Sequence, residues 1–514
     1  MQLNLRICSN YTKLIDVMEQ NVVFENPQNN IQPPQPQVPS TTIPQTQQSP
    51  FSTEIPLPPP GQPLGSNLPP SPPLPPQSPI GEILSIIPKW VKLAAIAIGG
   101  VVLLIIILLV VISSRGKQKP EHVALKYWGL WEDSSIMNAV IDDFQRQYPN
   151  ITVNYSKEDP KQYSERLLAR SQNGTGPDVF RYHNTWVPEL SPILLPLSND
   201  VITKDQFKNT FYKAAQDDLI KNGAIYGVPL GMEDLVLLVN NSIFQAAGAK
   251  VPATWDNFLT TAKQLTVKDE NGKIKTAGAA LGTYDNITHA PDIVSLLFIQ
   301  NGVDIKDLTK NPKNASDALN FYSSFAKSDG NVWDNTLDPS MMAFAKANLA
   351  MYFGYSWDIF TIKAINPNLD FSIHPVPHLL NRNVSIASYW VEGASAKGKH
   401  PKEALLFMHY LTQKDTAEKF YTEAAKTRLF GEPYARVDLA DKLKDNPYLS
   451  PVVSQAKDAV STYFTGETQD TGIDAQMNGY LGNAVRSLLV GNSADSAITT
   501  LSQGVNQVLH QYGQ

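Results

Sequence analysis

The sequence predicts an α/β domain with mostly parallel sheets, preceded by a single transmembrane helix and a disordered Pro-rich tail. Three observations lead to this prediction. Prolines are concentrated at the start of the chain, because 20 of the 39 fall before residue 89. An uninterrupted apolar run follows from Leu93 to Ile112. Beyond Pro120, short apolar stretches alternate with stretches of helical periodicity, as they do in βαβ units.

Residues 1–88 are predicted to form a disordered tail rich in Pro and Gln. Runs such as Pro56–Pro60 and Pro69–Pro76 exclude helices, because proline lacks an amide hydrogen and restricts the residue before it. A locally polyproline II conformation is expected instead. The tail is either a spacer without a partner or a docking segment for a reader of proline motifs, and composition favours the spacer.

The apolar run predicts a transmembrane helix over 90–114, followed by a short linker over 115–120. Leu93–Ile112 contains no charged residue, and at about 1.5 Å per residue it spans about 30 Å, the thickness of a bilayer core. Its length exceeds that of a signal-peptide core, and no Ala-x-Ala site follows, which favours an uncleaved anchor. The flanking basic residues slightly favour a cytoplasmic C-terminal side, but long domains cross membranes largely regardless of such charges.

Composition and motifs argue against several classes of protein. The net charge of −6 predicts no nucleic-acid partner. The single cysteine, Cys8, excludes an intramolecular disulfide and a zinc site built on several cysteines. The chain lacks a Gly-x-Ser-x-Gly elbow, a Walker phosphate loop and a His-Glu-x-x-His pair. We therefore expect no enzyme activity, no cofactor and no metal, although a glycosidase with two distant carboxylates leaves no local signature.

Strands and helices alternate from the start of the domain. Their predicted order is a strand over 123–128, a helix over 134–148, a strand over 151–155, a helix over 163–169 and a strand that opens at Asp178. In open parallel sheets, ligands bind beyond the carboxyl ends of the strands. Residues that directly follow these strands are therefore the first candidates for a binding site.

Five segments, in order along the domain, match the motifs of a known family. They are Gly176–Phe180, Tyr226–Leu230, Leu235–Asn240, Pro252–Asp256, and Phe344–Met351 with Gly354 and Trp357. From about Glu121 onward the chain resembles the extracellular solute-binding proteins of ABC importers. Within them it is most similar to the carbohydrate-binding group that includes maltose-binding protein.

This resemblance implies a two-lobed, periplasmic-binding-protein-like fold of type II over 121–514, with a ligand cleft between the lobes. The implied boundaries are 121–231 and 378–427 for lobe one, 232–377 and 428–514 for lobe two, and 231–232, 375–377 and 428 for the crossovers. The implied partners are a carbohydrate and the permease subunits of an ABC importer, to which the protein delivers its ligand after lobe closure.

The resemblance also implies a location in the cell membrane, as a single-pass protein with its C-terminal domain outside the cytoplasm. For this orientation, the resemblance is stronger evidence than the small excess of basic residues on the C-terminal side of the helix. A second interpretation is a glycan-sensing or adhesion protein at the cell surface, whose Pro-rich cytoplasmic tail recruits a partner.

A sugar site needs aromatic faces for the C–H faces of the rings and a few well-placed polar groups for the hydroxyls. Side chains of these types lie near predicted strand ends and crossovers. The candidate ligand-binding residues are Trp357, Trp390, Trp186, Tyr389, Tyr355, Tyr284, Trp131, Glu132, Asn184, Glu233 and Arg428. Trp255 is assigned to the core instead, because the resemblance implies that it is the family's tryptophan at a helix start, directly after Thr254 as the helix cap.

Overall fold

The computed structural model describes residues 88–114, 121–327, 330–379, 382–466 and 468–514. Residues 1–87 of the predicted tail lie outside the described residues. The predicted linker over 115–120 also lies outside them.

The N-terminal helix α1 extends over Lys89–Ser114. Its segment Lys89–Leu108 has a mean hydropathy of 2.8, so by length and composition it can cross a membrane. Large apolar side chains, such as those of Ile96 and Leu104, are exposed on it. Such a surface is typical of a helix that contacts lipid or another apolar partner.

The elements of the domain alternate as the sequence predicts. The strands are β1 Val123–Gly129, β2 Ile151–Lys157, β3 Val179–His183, β4 Ile220–Lys221, β5 Ala224–Ile225, β6 Val228–Pro229, β7 Glu233–Asp234, β8 Val236–Asn240, β9 Val267–Lys268, β10 Ile274–Ala279, β11 Leu349–Gly354, β12 Phe371–His374, β13 Ser385–Ser388, β14 Trp390–Ala394 and β15 Ala459–Val460. The helices are α2 Ser134–Gln147, α3 Tyr163–Gln172, α4 Val187–Leu190, α5 Lys204–Thr210, α6 Lys213–Leu219, α7 Asn241–Ala247, α8 Trp255–Leu265, α9 Ala290–Gln300, α10 Pro312–Ser324, α11 Ser340–Ala345, α12 Asp358–Ile365, α13 Pro401–Leu411, α14 Lys414–Ala425, α15 Ser450–Gln455, α16 Ile473–Leu489 and α17 Ala494–Gln511.

Two five-stranded sheets form the cores of two lobes in the described part of the chain. Lobe one is built on the order β2-β1-β3-β14-β6, and lobe two on β12-β8-β11-β10-β9. Strands β1, β2 and β3 are parallel, whereas β14 pairs antiparallel with β3. All residues of β3, β8 and β11 are buried, as expected for strands covered by helices on both faces.

The lobes are joined by short crossover segments that pair with one another. Strand β13 lies antiparallel to β7, and Gly231 forms a bridge with Tyr434. Along the chain, β13 lies between β12 of lobe two and β14 of lobe one, and the expected crossover near residues 375–377 stays a prediction. The Gln300 side chain of lobe two donates to the carbonyls of Pro377 and Val384 in this segment.

The predicted helix start at Thr254 is confirmed. Its side chain accepts a hydrogen bond from the backbone of Asn257 and caps α8. The next residue, Trp255, is buried, and its indole N–H donates to Gln300 Oε1 at 2.7 Å. Trp255 therefore belongs to the core of lobe two.

Candidate functional site

A cavity of about 250 Å³, the first cavity, lies between the two lobes, beyond the ends of β1, β3 and β11. Both lobes and the crossover segments contribute to its lining. The lining residues are Trp131, Glu132, Arg181, His183, Leu230, Gly231, Glu233, Trp357, Phe360, Ser388, Tyr389, Trp390, Phe420, Arg428, Glu432, Gly466, Thr468 and Gln469.

Tryptophans provide flat apolar faces on two sides of this cavity. Trp131 and Trp390 of lobe one meet edge to face, with ring centroids 5.4 Å apart. Trp357 of lobe two stacks on Tyr355, with centroids 4.3 Å apart and planes 16° apart. Trp131 has a φ of 65°, a left-handed conformation that is uncommon for a bulky residue and tends to occur at functional sites.

Two carboxylates pair with one guanidinium in the lining of the cavity, and a third carboxylate, that of Glu233, belongs to the same lining. Arg428 Nη2 lies 3.0 Å from Glu432 Oε1 and 3.4 Å from Glu132 Oε1. Glu233 instead accepts hydrogen bonds from the hydroxyl and the backbone N–H of Ser356, at 2.5 and 3.2 Å. Burial and the neighbouring Glu432 raise the pKa of Glu233 to about 8. Burial also raises the pKa of Glu132.

A buried ion pair forms the floor of the cavity. The Arg181 Nε and Nη2 atoms each lie 2.6 Å from Glu392 Oε1, and Nη1 donates to the carbonyl of Leu130 at 3.1 Å. Arg181 points from the middle of β3, a strand whose residues are all buried. Its guanidinium is therefore held in one place in the cavity lining by Glu392 and the carbonyl of Leu130.

His183, at the end of β3, is a neutral polar group of the lining. Burial lowers its pKa to about 3. Its Nδ1 lies 2.7 Å from Thr185 Oγ1, and its Nε2 lies 3.1 Å from Ser388 Oγ. A neutral imidazole of this kind holds neighbouring hydroxyls in place without adding charge.

The structure brings seven of the eleven candidate residues to this cavity. They are Trp357, Trp390, Tyr389, Trp131, Glu132, Glu233 and Arg428. Their contact with a ligand stays a prediction, but their placement joins aromatic faces with hydrogen-bonding groups. Such an arrangement can bind a small polyhydroxylated molecule.

The other four candidates lie outside the lining of the first cavity. Trp186 is fully buried behind Trp390. Tyr355 lies behind Trp357, and its hydroxyl donates to Asp292. The Tyr284 hydroxyl donates to the carbonyl of Asn478, and Asn184 donates to Asp218. Each of the four has a polar partner within the protein.

Sequence reasoning did not select several other lining residues. Phe360 and Phe420 belong to α12 and α14, where an aromatic residue on a helix face predicts core packing. Arg181 lies inside a strand, and Thr468 and Gln469 lie in a segment without regular structure. For Glu432 the sequence contains one weak indication. It lies four residues after the candidate Arg428, a spacing at which the two side chains can pair.

A second cavity, of about 310 Å³, also lies between the lobes. Its lining includes Asp218 and Lys221 of lobe one and Lys306 of lobe two. Asp218 accepts hydrogen bonds from Asn184 at 2.9 Å, Tyr389 at 2.7 Å and Ser461 at 2.6 Å. Burial raises the pKa of Asp218. In the described residues, no group of three or more His, Cys, Asp and Glu side chains is arranged to hold a metal ion at either cavity or elsewhere.

Comparison with known proteins identifies relatives of the domain. A sequence model described as bacterial extracellular solute-binding protein matches residues 139–451. The multiple sugar-binding protein of Streptococcus mutans is 25% identical over 326 residues, which are 60% of this chain and 76% of that protein.

Solved structures share the architecture. An ABC transporter solute-binding protein from Thermotoga lettingae, solved bound with alpha-D-tagatose, has a TM-score of 0.59 at 21% identity, covering 75% of this chain and 99% of that chain. A cyclo/maltodextrin-binding protein complexed with maltotetraose has a TM-score of 0.62 at 18% identity, covering 76% of this chain and 98% of that chain. The domain has the two-lobed α/β fold of these proteins.

Proposed function

Because the chain belongs to the bacterial extracellular solute-binding proteins, we propose that it binds a carbohydrate in the first cavity. The observation that carries this proposal is the lining of that cavity. Trp131, Trp390 and Trp357 offer faces for pyranose rings, while Glu132 and Arg428 belong to the same lining and can form hydrogen bonds with hydroxyls. The name of the Streptococcus mutans relative and the sugars in the two solved structures support a carbohydrate over other solutes.

The mechanism is capture by lobe closure, without a reaction. A sugar that contacts Trp390 of lobe one and Trp357 of lobe two stabilises the closed arrangement, because it binds both walls at once. The closed protein then passes its ligand to the permease subunits of an ABC importer. Transport energy comes from that importer.

Helix α1 anchors the domain outside the cytoplasm in this proposal. The length and hydropathy of Lys89–Leu108 support a membrane crossing. The family supports an extracytoplasmic domain. Protease added to intact cells is expected to digest residues 121–514, and protection of these residues would contradict this topology.

Calorimetric titration of the full chain in detergent micelles tests the ligand class. We expect binding of one class of mono- or oligosaccharide at micromolar concentrations. Amino acids and short peptides serve as controls of similar size. Binding of an amino acid or a peptide with no response to any sugar would contradict the carbohydrate assignment.

A further inference from the structure

Trp186 lies at the contact between the lobes rather than in the cavity. It follows β3 of lobe one and is fully buried. Its indole N–H donates to Asp470 Oδ2 at 2.9 Å and to Asp474 Oδ2 at 3.0 Å. Asp474 lies in the first turn of α16, which packs with α17 against α10 of lobe two. The hydrogen bonds of the Trp186 indole therefore link lobe one to lobe two.

Trp186 also contacts the wall of the first cavity. Its ring meets the ring of Trp390 edge to face, with centroids 5.4 Å apart and planes 87° apart. Trp390 lines the cavity, whereas Trp186 does not. The orientation of Trp390 therefore determines where the Trp186 indole can lie, because two packed rings cannot turn independently.

A chain of hydrogen bonds runs from the cavity to the same aspartate. Ser388 Oγ, in the cavity lining, lies 3.1 Å from His183 Nε2. His183 Nδ1 lies 2.7 Å from Thr185 Oγ1, which donates to Asp474 Oδ2 at 2.6 Å. Two routes thus connect the lining to Asp474, one through ring contacts and one through hydrogen bonds.

The segment over 468–474 forms further contacts across the lobes while it walls the cavity. Thr468 and Gln469 line the cavity, and the carbonyl of Gln469 accepts a hydrogen bond from the backbone of Gln162 at 3.2 Å. The backbone of Thr471 donates to Glu165 at 2.7 Å. The tryptophan and these contacts hold the same segment against lobe one.

We propose that Trp186 is a positioning residue that couples occupancy of the first cavity to closure of the lobes. A ligand on Trp390 fixes that ring and keeps the Trp186 indole aligned with Asp470 and Asp474. The bond across the lobes then stabilises the closed state and slows ligand release. This inference rests on the proposed function of the first cavity.

The variant Trp186→Phe tests it, because it keeps an aromatic ring and removes the N–H. The matched control is Trp333→Phe. The indole of Trp333 is also fully buried and donates to two acceptors, Thr283 Oγ1 at 3.0 Å and Asn286 Oδ1 at 3.1 Å, and all three residues lie within lobe two. Both variants remove a buried N–H, and Trp186→Phe alone removes a bond between lobes.

Two measurements on the full chain in detergent test the coupling between occupancy of the first cavity and closure of the lobes. The first is the interlobe distance, from spin labels at Lys208→Cys and Lys263→Cys in a Cys8→Ser background. Both lysines are exposed, one on each lobe. The second is calorimetric affinity for the carbohydrate that the wild type binds, with the dissociation rate and melting temperature recorded alongside.

We expect Trp186→Phe to widen the interlobe distances and to weaken affinity about tenfold, mainly through faster dissociation, which is the order of one lost hydrogen bond. Trp333→Phe should lower the melting temperature while the interlobe distances and the affinity stay at wild-type values. Equal distances and affinities for the two variants would overturn the inference. If the wild type binds no sugar, the proposed function fails, while the interlobe distances of the ligand-free proteins still decide whether Trp186 holds the lobes together.

Discussion

The two cavities between the lobes have similar volumes and different walls. The first, of about 250 Å³, is lined by Trp131, Trp357 and Trp390 around a cluster of carboxylates and arginines. The second, of about 310 Å³, has Tyr463 and aliphatic side chains beside Asp218 and two lysines. The smaller cavity has the lining expected of a sugar site, so the proposed function rests on the chemistry of the cavity wall rather than on cavity volume.

The cavities also differ in how their charges are compensated. Below the first cavity, Arg181 and Glu392 form a direct ion pair that is almost completely buried. In the second, Asp218 is held by the neutral donors Asn184, Tyr389 and Ser461. Tyr389 belongs to both, because it lines the first cavity and donates to Asp218. The free energy of unfolding is therefore expected to fall more when one charge is removed at the first cavity than at the second.

The largest expected effect comes from breaking the ion pair below the first cavity. Glu392→Gln leaves Arg181 buried without its counter-charge and should lower the free energy of unfolding by about 3–5 kcal/mol. Urea unfolding of the full chain in detergent measures this loss. Asp285→Asn is the matched control, since its pair with Arg486 is exposed and should be worth less than about 1 kcal/mol. Equal losses of unfolding free energy in the two variants would contradict the expected difference between the buried and the exposed ion pair.

The next effect concerns the aromatic faces. Trp357→Ala should weaken carbohydrate affinity about hundredfold, in the range of aromatic hot spots in binding sites. Tyr463→Ala removes an aromatic ring from the second cavity and should leave affinity within about twofold of the wild type. Calorimetry on both variants makes the comparison. A stronger loss of affinity in Tyr463→Ala would assign the sugar to the second cavity.

The third prediction concerns pH. Because burial raises the pKa of Glu233 from 4.5 to about 8, the folded protein holds a proton there that the unfolded chain releases above pH 4.5. Stability from this group is therefore fully present below that value and is lost as pH rises towards 8, by at most about 1.4 kcal/mol per pH unit. Thermal unfolding between pH 5 and 8 should show a shallower decline for Glu233→Gln than for the wild type. Parallel curves would show that Glu233 is ionised in the folded protein.

The smallest effect is expected from the exposed cation of the second cavity. Lys306→Ala should change the free energy of unfolding by less than about 0.5 kcal/mol and leave sugar affinity unchanged, because Lys306 is exposed and lines the second cavity rather than the first. Urea unfolding and calorimetry measure both quantities. A clear loss of affinity would show that the second cavity takes part in ligand binding.

Part of the site was predictable because residues that follow strands come together at one edge of a parallel sheet. Trp131 and Glu132 follow β1, and Trp357 follows β11, so their position in the chain indicated the cavity. The same rule failed to separate Trp186 from Trp390. Both lie beside the end of a strand of lobe one, but one ring covers the other.

Other lining residues could not be predicted from local pattern. Arg181 occupies a buried strand, where a charged residue is explained only by Glu392, 211 residues further along the chain. Phe360 and Phe420 have the sequence pattern of core residues of their helices, and only the packing of the two lobes places them in the cavity lining.

The sequence by itself determined the features that depend on neighbouring residues. These are the α/β order of elements, the cap at Thr254, the apolar length of α1 and the five motifs of the solute-binding family. The tertiary structure decided which tryptophan faces the cavity, which carboxylates share Arg428 and how Trp186 bonds across the lobes. The physical reason is that propensity and periodicity act over a few residues, whereas cavity walls and buried charge pairs form between segments that only packing of the two lobes brings into contact.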